Sequence, residues 1–582
     1  MDYKIKQIDQ NAVNELSKFY PELLAKLLAG NGIKTQSEAE RYLHNDQLYD
    51  PCLIHNIDQA VDMILKAIKD KERIGIFGDY DVDGVTSTAI IYEGLTPLGV
   101  KVIPRVPDRI HEGYGMSVKA VEELAGKGCT FIVTVDNGIM QHDAIKRAKE
   151  LGMKVLLTDH HLAGDTLPDA DCIIDLHVPE ESYPYEDLAG CGVAYKLIAA
   201  LYKRLQKPLG SRFLDLVAIG TVADLVPLTD ENRVLVKRGL DMINDPGYDR
   251  MGIKALKAEF NVGNVDSERI AFQLAPALNA PGRLLERGAE ISANTLVCKS
   301  EKNAAVLAKK LHEVNKDRKE QQKAWIDQAI AELSSRGDLI DEQIMTRFIV
   351  MYLPGCPDGV IGLVAGRLTE QYHVPSIVFT SIDEDKAKGS GRSIPGIHLY
   401  NELCNCEELL QFGGHSQAAG MSILIRDIPL LQKKLNEQME KYPADTFKKV
   451  ITVTQVREAS ALSVSDLVPL KALEPYGMDN QKPLFLIKNF KCYPYTANRH
   501  YAILKEVHIK FLGNKGVEAI GFNLADKYKS LGCPKYMNII GSFNENHFNG
   551  STSLSIMIED FEALPDPQSE KTSFQKSLQA LV

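Results

Sequence analysis

The stretch that most constrains the fold of this chain is residues 73–88, which read RIGIFGDYDVDGVTST. It begins with a short apolar run of the kind that a buried parallel strand uses. Asp79, Asp81 and Asp83 follow at alternate positions, and after Gly84 a Ser/Thr-rich segment starts an apolar helix. Three carboxylates this close repel one another, so they stay ionised together only beside positive charge. A hard divalent cation held by oxygen ligands is the natural candidate.

Two plainer interpretations of the aspartate triplet stay open at this point, a solvated acidic loop and a calcium loop. A calcium EF-hand loop that begins at Asp79 would need a Glu at its twelfth position, and this chain has Ile90 there. That substitution argues against the calcium loop.

Composition places the chain among ordinary globular proteins. Its 582 residues predict two to four domains, with 45% hydrophobic and 25% charged residues. The net charge of −11 argues against a surface uniformly coated to bind nucleic acid, but it is compatible with a local basic channel. We expect no membrane span and no signal peptide, because the sequence has no 18-residue apolar run and begins with polar residues. Ten cysteines without paired spacing indicate reduced thiols in a cytoplasmic protein.

The region after residue 71 alternates strand and helix patterns, which predicts a parallel-sheet α/β domain over residues 71–245. The predicted strands are 73–78, 100–106, 130–135, 153–158 and 171–176. The predicted helices between them are 86–98, 117–127 and 139–151.

Metal-ligand residue types follow three of these strands. The aspartate triplet ends the first, Asp136-Asn137-Gly138 ends the third, and Asp159-His160-His161 ends the fourth. In open parallel sheets, sites form at the carboxyl ends of the strands. One such aspartate is commonplace as a helix cap, but three with a His-His pair indicate a metal site. Asp224 ends a later apolar helix, where it either precedes a turn or supplies one more ligand.

Helices dominate the two flanking regions, residues 1–70 and a connector over residues 246–340. In the connector, Pro281-Gly282 predicts a tight turn that presents Arg283. A long helix is predicted over residues 301–333, and its middle, residues 315–323, is entirely polar. That polarity favours a bridge between domains, since a coiled-coil seam would be interrupted for too long.

The C-terminal half predicts a second, smaller α/β domain over residues 341–440 and a barrel over residues 450–562, followed by a flexible tail at 563–582. The second domain has two glycine-rich segments, 389–393 and 412–420, whose freed amides, with Arg392 and His415, are a weak phosphate-binding signal. Within the barrel, residues 484–550 hold nine Lys/Arg against four Asp/Glu. This mix favours single-stranded nucleic-acid binding over a merely solvated β-surface. The aromatic and histidine residues interleaved with the basic ones are Tyr493, Tyr495, His500, Tyr501 and Phe511.

These motifs together resemble the DHH phosphoesterase family, and within it the single-strand-specific exonucleases. The resemblance covers about residues 20 to 560. It rests on segments DYDVDG at 79–84, VDNG at 135–138, DHH at 159–161, AD at 223–224, LNAPGR at 278–283, GSGRS at 389–393 and GGH at 413–415. The segment EGYG at 112–115, after Arg109, also fits. The resemblance as a whole implies an α/β fold with a parallel-sheet DHH domain, a long linker helix, a smaller DHH-associated α/β domain and an OB-like barrel.

The resemblance also implies the chemistry. It implies two Mn²⁺ or Mg²⁺ ions, with Asp136 bridging them, bound by Asp81, Asp83, Asp136, His160 and Asp224. Asp79 is implied as a further ligand or as a residue that supports one. Asp136, His160 and His161 are the implied catalytic residues, with His161 facing the scissile phosphate. The implied ligands of the 5′-terminal phosphate and nearby backbone are Arg109, Arg283, Ser390, Arg392 and His415. The implied activity is stepwise 5′-to-3′ degradation of single-stranded DNA to mononucleotides in DNA repair and recombination. The implied partners of this monomer are single-stranded DNA, a single-strand-binding protein and a helicase.

One departure from the family pattern and two alternative functions bear on the implied exonuclease activity. Pro357 stands where such proteins usually carry a His before the segment GVIG, which affects rate or substrate positioning rather than the metal site. A phosphodiesterase for short oligonucleotides or cyclic dinucleotides would need neither the long linker helix nor a basic barrel. A non-catalytic DNA-binding scaffold would lack ligands, and here every expected ligand is present.

Overall fold

A computed structural model describes residues 1–109, 111–113, 115–494, 502–513, 516–548 and 551–566. The chain forms two compact units. The large unit comprises residues 47–448, and the small unit joins residues 1–46 to the residues from 449 onwards. Each unit has hydrophobic clusters of its own.

The large unit begins with a five-stranded parallel sheet, as the alternating pattern predicts. Its order across the sheet is Lys101–Arg105, Arg73–Phe77, Phe131–Thr134, Lys154–Thr158 and Cys172–Ile174. All neighbouring pairs are parallel, so the carboxyl ends of the strands share one edge. The helices that alternate with them are Ile57–Lys69, Val82–Leu95, Val118–Gly126 and His142–Glu150.

Helices then pack on this sheet and complete its core. They are Gly190–Arg204, Leu214–Asp224, Asp230–Asn244, Met251–Glu259, Ser267–Arg269, the π-helical Ile270–Leu274, Ala275–Leu284 and Ala289–Val297.

The prediction of a tight turn at Pro281-Gly282 is wrong, because both residues lie inside the helix Ala275–Leu284. Tertiary packing overrides the turn propensity of the pair. A Cβ at Gly282 would lie 3.2 Å from the carbonyl oxygen of Tyr80, so glycine lets the helix approach the aspartate loop closely. Arg283 therefore projects from the last turn of a helix.

A 35-residue helix, Glu301–Ser335, which we call the linker helix, runs through the large unit. At about 1.5 Å per residue it is about 50 Å long. Ala308 and Leu311 near its start belong to the core of the parallel sheet. Ala329 and Leu333 near its end belong to a second core, which supports the next sheet. The helix is thus the bridge that its polar middle predicts.

The second sheet of the large unit has five strands and mixed directions. Its order is Leu409–Gly414, Ala418–Leu424, Lys386–Arg392, Ser376–Ser381 and Ile349–Tyr352. Only the last pair is parallel. The remaining elements around it are the helices Asp358–Tyr372, Leu399–Leu403 and Ile428–Met439 and the hairpin Leu339–Ile340 with Gln343–Ile344.

The expectation that the segment 389–393 frees its amides for an anion is wrong, because most of it lies in a strand paired on both sides. Its glycines serve packing instead. A Cβ at Gly389 would lie 2.4 Å from the ring of Phe379, and one at Gly391 would lie 2.9 Å from Leu399. The side chains of this strand, rather than its backbone, remain for binding.

The small unit combines a β-sheet with the N-terminal helices. Its eight strands are Gln455–Glu458, Phe485–Lys491, Tyr493–Pro494, Ile503–Leu504, His508–Leu512, Glu518–Gly521, Tyr536–Phe548 and Ser551–Leu564. Its helices are Gln10–Leu16, Glu22–Gly30, Gln36–His44, Leu467–Leu473 and Ala525–Ser530. A further strand, Tyr3–Ile5, pairs in parallel with Ile451–Val453.

The N-terminal helices share one core with the barrel strands. The second of these helices, Glu22–Gly30, begins directly after Pro21, which lacks the N–H that a helix interior needs. None of the described helices has the length and apolar content to cross a membrane. All ten cysteines are free thiols.

Candidate metal and phosphate site

Two of the three aspartates after the first strand are almost fully buried. Asp79 is 2% exposed and Asp83 1%. Asp81 caps the helix Val82–Leu95, and its Oδ1 accepts the N–H of Gly84 at 3.1 Å. This cap starts the helix four residues before the predicted residue 86, so that Asp83 lies in its first turn. Gly84 is required because a Cβ there would lie 2.4 Å from the backbone nitrogen of Asp79.

Asp83 is held by the start of another helix, Gly190–Arg204. The N–H of Gly190 donates to its Oδ2 at 2.6 Å, and the N–H of Cys191 donates to its Oδ1 at 2.9 Å. A Cβ at Gly190 would lie 2.7 Å from Cβ of Asp136 and 2.9 Å from Oδ2 of Asp83. Only glycine therefore lets this helix end approach the carboxylates.

His160 links the remaining acidic residues. Its Nε2 lies 3.0 Å from Oδ1 of Asp136, 3.7 Å from Oδ2 of Asp83 and 3.7 Å from Oδ2 of Asp224. Asp136 follows its strand with a left-handed φ of 59°, and Asp224 ends the helix Leu214–Asp224. The strand ends and this helix thus meet at one place, as the sequence predicts for a metal site.

Three overlapping groups of side chains each place ligand atoms within 4.8 Å of one another. They are Asp79, Asp81 and Asp136; Asp83, His160 and Asp224; and Asp136, His160 and His161. We call the residues of these groups the acidic cluster.

The electrostatics of the acidic cluster favour bound cations. Burial, and then the charge of neighbouring carboxylates, raises the pKa of Asp79, Asp136 and Asp224 well above the usual range. Two buried atoms, Oδ1 of Asp79 and Nε2 of His160, make no hydrogen bond of good geometry within the described residues. Nε2 of His160 lies 3.0 Å from Oδ1 of Asp136 but is not aligned with it as a hydrogen bond. Two ligands of one metal ion would show this geometry. Carboxylates with an imidazole are a donor set that suits Mn²⁺, and Mg²⁺ somewhat less.

Asp159 orients His161 and was not assigned a role from the sequence. Its Oδ1 lies 2.7 Å from Nδ1 of His161, and its Oδ2 accepts the N–H of Ile139 at 3.0 Å. Burial opposes a charged imidazole, but the hydrogen bond to Asp159 and its charge prevail and raise the pKa of His161 to about 9. The DHH spacing was the signal that could have assigned this role, since the aspartate lies two residues before the histidine it holds.

Three predicted phosphate ligands, Arg109, Arg283 and Arg392, lie near one another, and we call them the arginine cluster. The guanidinium of Arg109 lies 4.7 Å from the ring centroid of Tyr80. Nη1 of Arg283 donates to the carbonyl of Gly359 at 3.2 Å, and Nη1 of Arg392 donates to the hydroxyl of Ser390 at 3.1 Å. No carboxylate of the described residues forms an ion pair with any of the three.

Burial and mutual repulsion disfavour the charged forms of two of the three arginines. Burial, then the charges of Arg109 and Arg318, lowers the pKa of Arg283 to about 9. Burial and Arg109 also lower the pKa of Arg392. Buried guanidiniums that form no direct ion pair are stabilised by a bound anion, and phosphate matches their fork of donors.

The other predicted phosphate ligands are placed less tightly. Ser390 joins the arginine cluster through Arg392. His415 is exposed in the turn between two strands, where its N–H donates to the carbonyl of Ala418 at 2.8 Å. Lys388, which was not predicted, alternates with Ser390 and Arg392 on one face of their strand, and its Nζ lies 2.6 Å from Oδ2 of Asp358. Asp358 follows Pro357 at the start of the helix Asp358–Tyr372.

Of the predicted barrel residues, Tyr495, His500 and Tyr501 lie outside the described residues. Tyr493 is 42% exposed, and Nζ of Lys491 lies 4.7 Å from the centroid of its ring. Phe511 is fully buried, so its proposed place in a surface mix is wrong; it belongs to the core of the small unit.

Family models match three successive parts of the chain. They are the DHH family N-terminal domain at residues 73–221, the DHHA1 domain at 345–441 and the RecJ OB domain at 457–560. With the fold and the acidic cluster, these matches define a phosphoesterase of the DHH class.

Full-length relatives narrow this class. The single-stranded-DNA-specific exonuclease RecJ of Bacillus subtilis is 35% identical over 96% of this chain and 70% of its own length. That of Salmonella typhimurium is 34% identical over 95% of this chain and 98% of its own. The structure of RecJ in complex with Mn²⁺ from Thermus thermophilus matches with a TM-score of 0.78 at 26% identity, covering 97% of this chain and 79% of that one. The chain belongs to the RecJ family of single-stranded-DNA-specific exonucleases.

Proposed function

We propose that this chain is a metal-dependent exonuclease that degrades single-stranded DNA from the 5′ end to mononucleotides, in DNA repair and recombination. The observation that carries the proposal is the position of the two clusters around Tyr80. Asp79 and Asp81 flank this residue in sequence, and Arg109 lies over its ring at 4.7 Å. A DNA end with a terminal phosphate and a neighbouring phosphodiester would satisfy both clusters at once.

The acidic cluster would hold two metal ions. RecJ of Thermus thermophilus has been solved in complex with Mn²⁺ and with Mg²⁺. The ligands here would be Asp79, Asp81, Asp83, Asp136, His160 and Asp224, with Asp136 common to two of the groups. When bound, such ions activate a water and neutralise charge on the leaving oxygen. Asp83 would act as a rigid ligand, because two backbone N–H groups fix its carboxylate.

His161 would act on the substrate from the edge of the acidic cluster. The buried carboxylate of Asp159, 2.7 Å from its Nδ1, favours a protonated imidazole. Its side chain is 36% exposed, whereas that of its partner Asp159 is 1% exposed. Because Asp159 engages Nδ1, Nε2 is the nitrogen that would donate to an oxygen of the scissile phosphate.

The arginine cluster would hold the 5′ end. Arg109, Arg283 and Arg392, with Ser390 and His415, would bind the terminal phosphate and the adjacent backbone, since guanidiniums engage two phosphate oxygens together. Holding the end beside the acidic cluster would place the first phosphodiester at the metals, which gives stepwise release of 5′-mononucleotides.

The small unit would add affinity for the single strand. Its exposed Tyr493 beside Lys491 is a stacking surface next to a cation, as single-strand-binding barrels use. We expect a monomer that works in the cytoplasm with a single-strand-binding protein and a helicase.

Side-by-side digestion tests the proposed function. A long 5′-phosphorylated single strand, a dinucleotide and a blunt duplex, each incubated with Mn²⁺, are compared, with the long strand labelled at either end. The proposal predicts early release of the 5′ label from the single strand only. Faster cleavage of the dinucleotide, or earlier release of the 3′ label, would overturn it.

A further inference from the structure

Arg318, midway along the linker helix, is a buried cation that the proposed mechanism does not use. It is 9% exposed. Its Nε donates to Oδ1 of Asn315 at 3.1 Å, and its Nη1 donates to Oε1 of Gln322 at 2.8 Å. Both acceptors are neutral amides, and among the described residues no carboxylate pairs with Arg318. A buried charge that lacks a counter-charge is costly, so an anion that reaches it would be bound strongly.

Arg318 lies where three helices that surround the arginine cluster meet. The linker helix packs against both Ala275–Leu284, which carries Arg283, and Asp358–Tyr372. Nε2 of Gln322 lies 3.5 Å from the carbonyl of Leu363 on the latter helix. The residue before Leu363 is Gly362.

Gly362 lies directly against Ser390 and Arg392. A Cβ at Gly362 would lie 2.9 Å from Oγ of Ser390 and 3.1 Å from Nη2 of Arg392. On the other side, the charge of Arg318 is one of the causes that lower the pKa of Arg283. The charge of Arg318 thus reaches Arg283, and its hydrogen-bond partner Gln322 contacts the helix turn that lies against Ser390 and Arg392.

We infer that Arg318 is a fourth cationic residue of the 5′-end site, and that it sets the preference for a terminal phosphate over a 5′-hydroxyl end. This inference rests on the proposed function. An internal phosphodiester carries one negative charge, and three arginines already exceed it. A terminal phosphate carries nearly two, with a second pKa of about 6, so it gains more from each added guanidinium. Arg318 thus acts as a specificity residue, whether it touches the phosphate or acts through Arg283.

The competing role for Arg318 is a brace that only ties Asn315 and Gln322 to its own helix. A brace would affect stability, and through it the turnover of every substrate equally. Substrate preference separates the two roles, because a 5′-phosphorylated strand and a 5′-hydroxyl strand use the same acidic cluster and differ only at the end.

The test compares kcat/KM on the two strands for the native chain, Arg318→Gln, Arg318→Met, Arg318→Lys and the control Lys319→Met. Gln keeps an N–H donor near the position of Nε without the charge, and Met keeps the aliphatic length, so either folded variant suffices. Lys319 is the exposed next residue of the helix. We expect the ratio of kcat/KM on the phosphorylated strand to that on the hydroxyl strand to fall about tenfold in the neutral variants, through KM. It should recover largely in Arg318→Lys and stay native in Lys319→Met.

A pH series adds a readout that a brace would not change. In the native chain, KM for the phosphorylated strand should rise as the pH falls from 7.5 to 5.5, relative to the hydroxyl strand, because the terminal phosphate loses its second charge. In the neutral variants this difference should shrink. An equal loss on both strands, or a native ratio in folded Arg318→Gln, would overturn the role of Arg318 and leave the 5′-end site standing. A native enzyme that does not distinguish the two ends would instead overturn the 5′-end site itself.

Discussion

The acidic cluster and the arginine cluster are both gatherings of like charge, but they are built in different ways. The carboxylates come from strand ends and a helix end, and backbone N–H groups fix two of them, Asp81 and Asp83. The arginines come from separate elements, and a ring, a carbonyl and a hydroxyl hold them. Two carboxylates of the acidic cluster are therefore fixed before any cation binds, whereas the arginine cluster depends on how separate elements pack. We expect changes in the first to abolish chemistry and changes in the second to alter end recognition.

The largest expected effect follows from Asp136→Asn, which removes a carboxylate shared by two ligand groups. Hydrolysis should fall roughly a thousandfold or more on every substrate, whatever its 5′ end. Single-turnover assays with saturating Mn²⁺ measure it. Turnover near the native level would contradict the two-metal site.

The same variant should become more stable when metal is removed. Burial, and then the charge of neighbouring carboxylates, raises the pKa of Asp136, so a neutral Asn relieves both costs. In chelator, Asp136→Asn should melt above the native chain, and added Mn²⁺ should stabilise it less than it stabilises the native chain. Asp143→Asn, at the start of the helix His142–Glu150 outside the cluster, is the matched control and should show neither shift.

Features that depend on local sequence patterns were predicted more accurately than features that depend on tertiary packing. Strand periodicity is local, so the sheet and the ends at Asp79, Asp136 and His160 were predicted with strand bounds within two residues. The helix start at Val82 was missed because a cap by Asp81 decides it.

Residues whose position depends on tertiary contacts were predicted less well. Pro281-Gly282 was interpreted as a turn, although close packing against Tyr80 keeps this pair in a helix. The glycines at 389 and 391 were interpreted as an anion loop, although they make room for Phe379 and Leu399. Arg318 lies in a polar stretch whose burial against two helices has no local signature.

The next prediction tests the backbone support that Gly190 gives to Asp83. Gly190→Ala adds a Cβ that would lie 2.7 Å from Cβ of Asp136, so the helix end must retreat from Asp83. We expect an activity loss of about a hundredfold at limiting Mn²⁺, with partial recovery at high Mn²⁺. Gly126→Ala is the control, because a Cβ there meets nothing within 4 Å. Equal behaviour of the two variants would contradict the supporting role of Gly190.

A further prediction addresses the arginine cluster. Arg392→Ala removes one charge-assisted contact to phosphate, which is worth about 2 kcal/mol, or roughly thirtyfold. The loss should appear on 5′-phosphorylated strands and hardly on 5′-hydroxyl strands, and Mn²⁺ binding should not change. Lys386→Ala, earlier on the same strand and exposed, should leave both substrates unaffected. Equal losses on both ends would show that Arg392 only braces Ser390.

The smallest expected effect follows from removal of the small unit, which contains no residue of either cluster. All residues of the two clusters lie within 47–448, so a chain cut to that range should keep hydrolysis of short 5′-phosphorylated strands. Residues 1–46 must be removed together with the barrel, because Leu16 and Leu28 share a core with Phe485 and Ile539. Affinity for long strands should fall about fivefold at low salt, with a flatter salt dependence, since fewer phosphates are neutralised. Fluorescence anisotropy over a salt series measures this. An unchanged slope in a folded fragment would place long-strand binding in the large unit, and the arginine cluster would then have to hold more of the strand than its 5′ end.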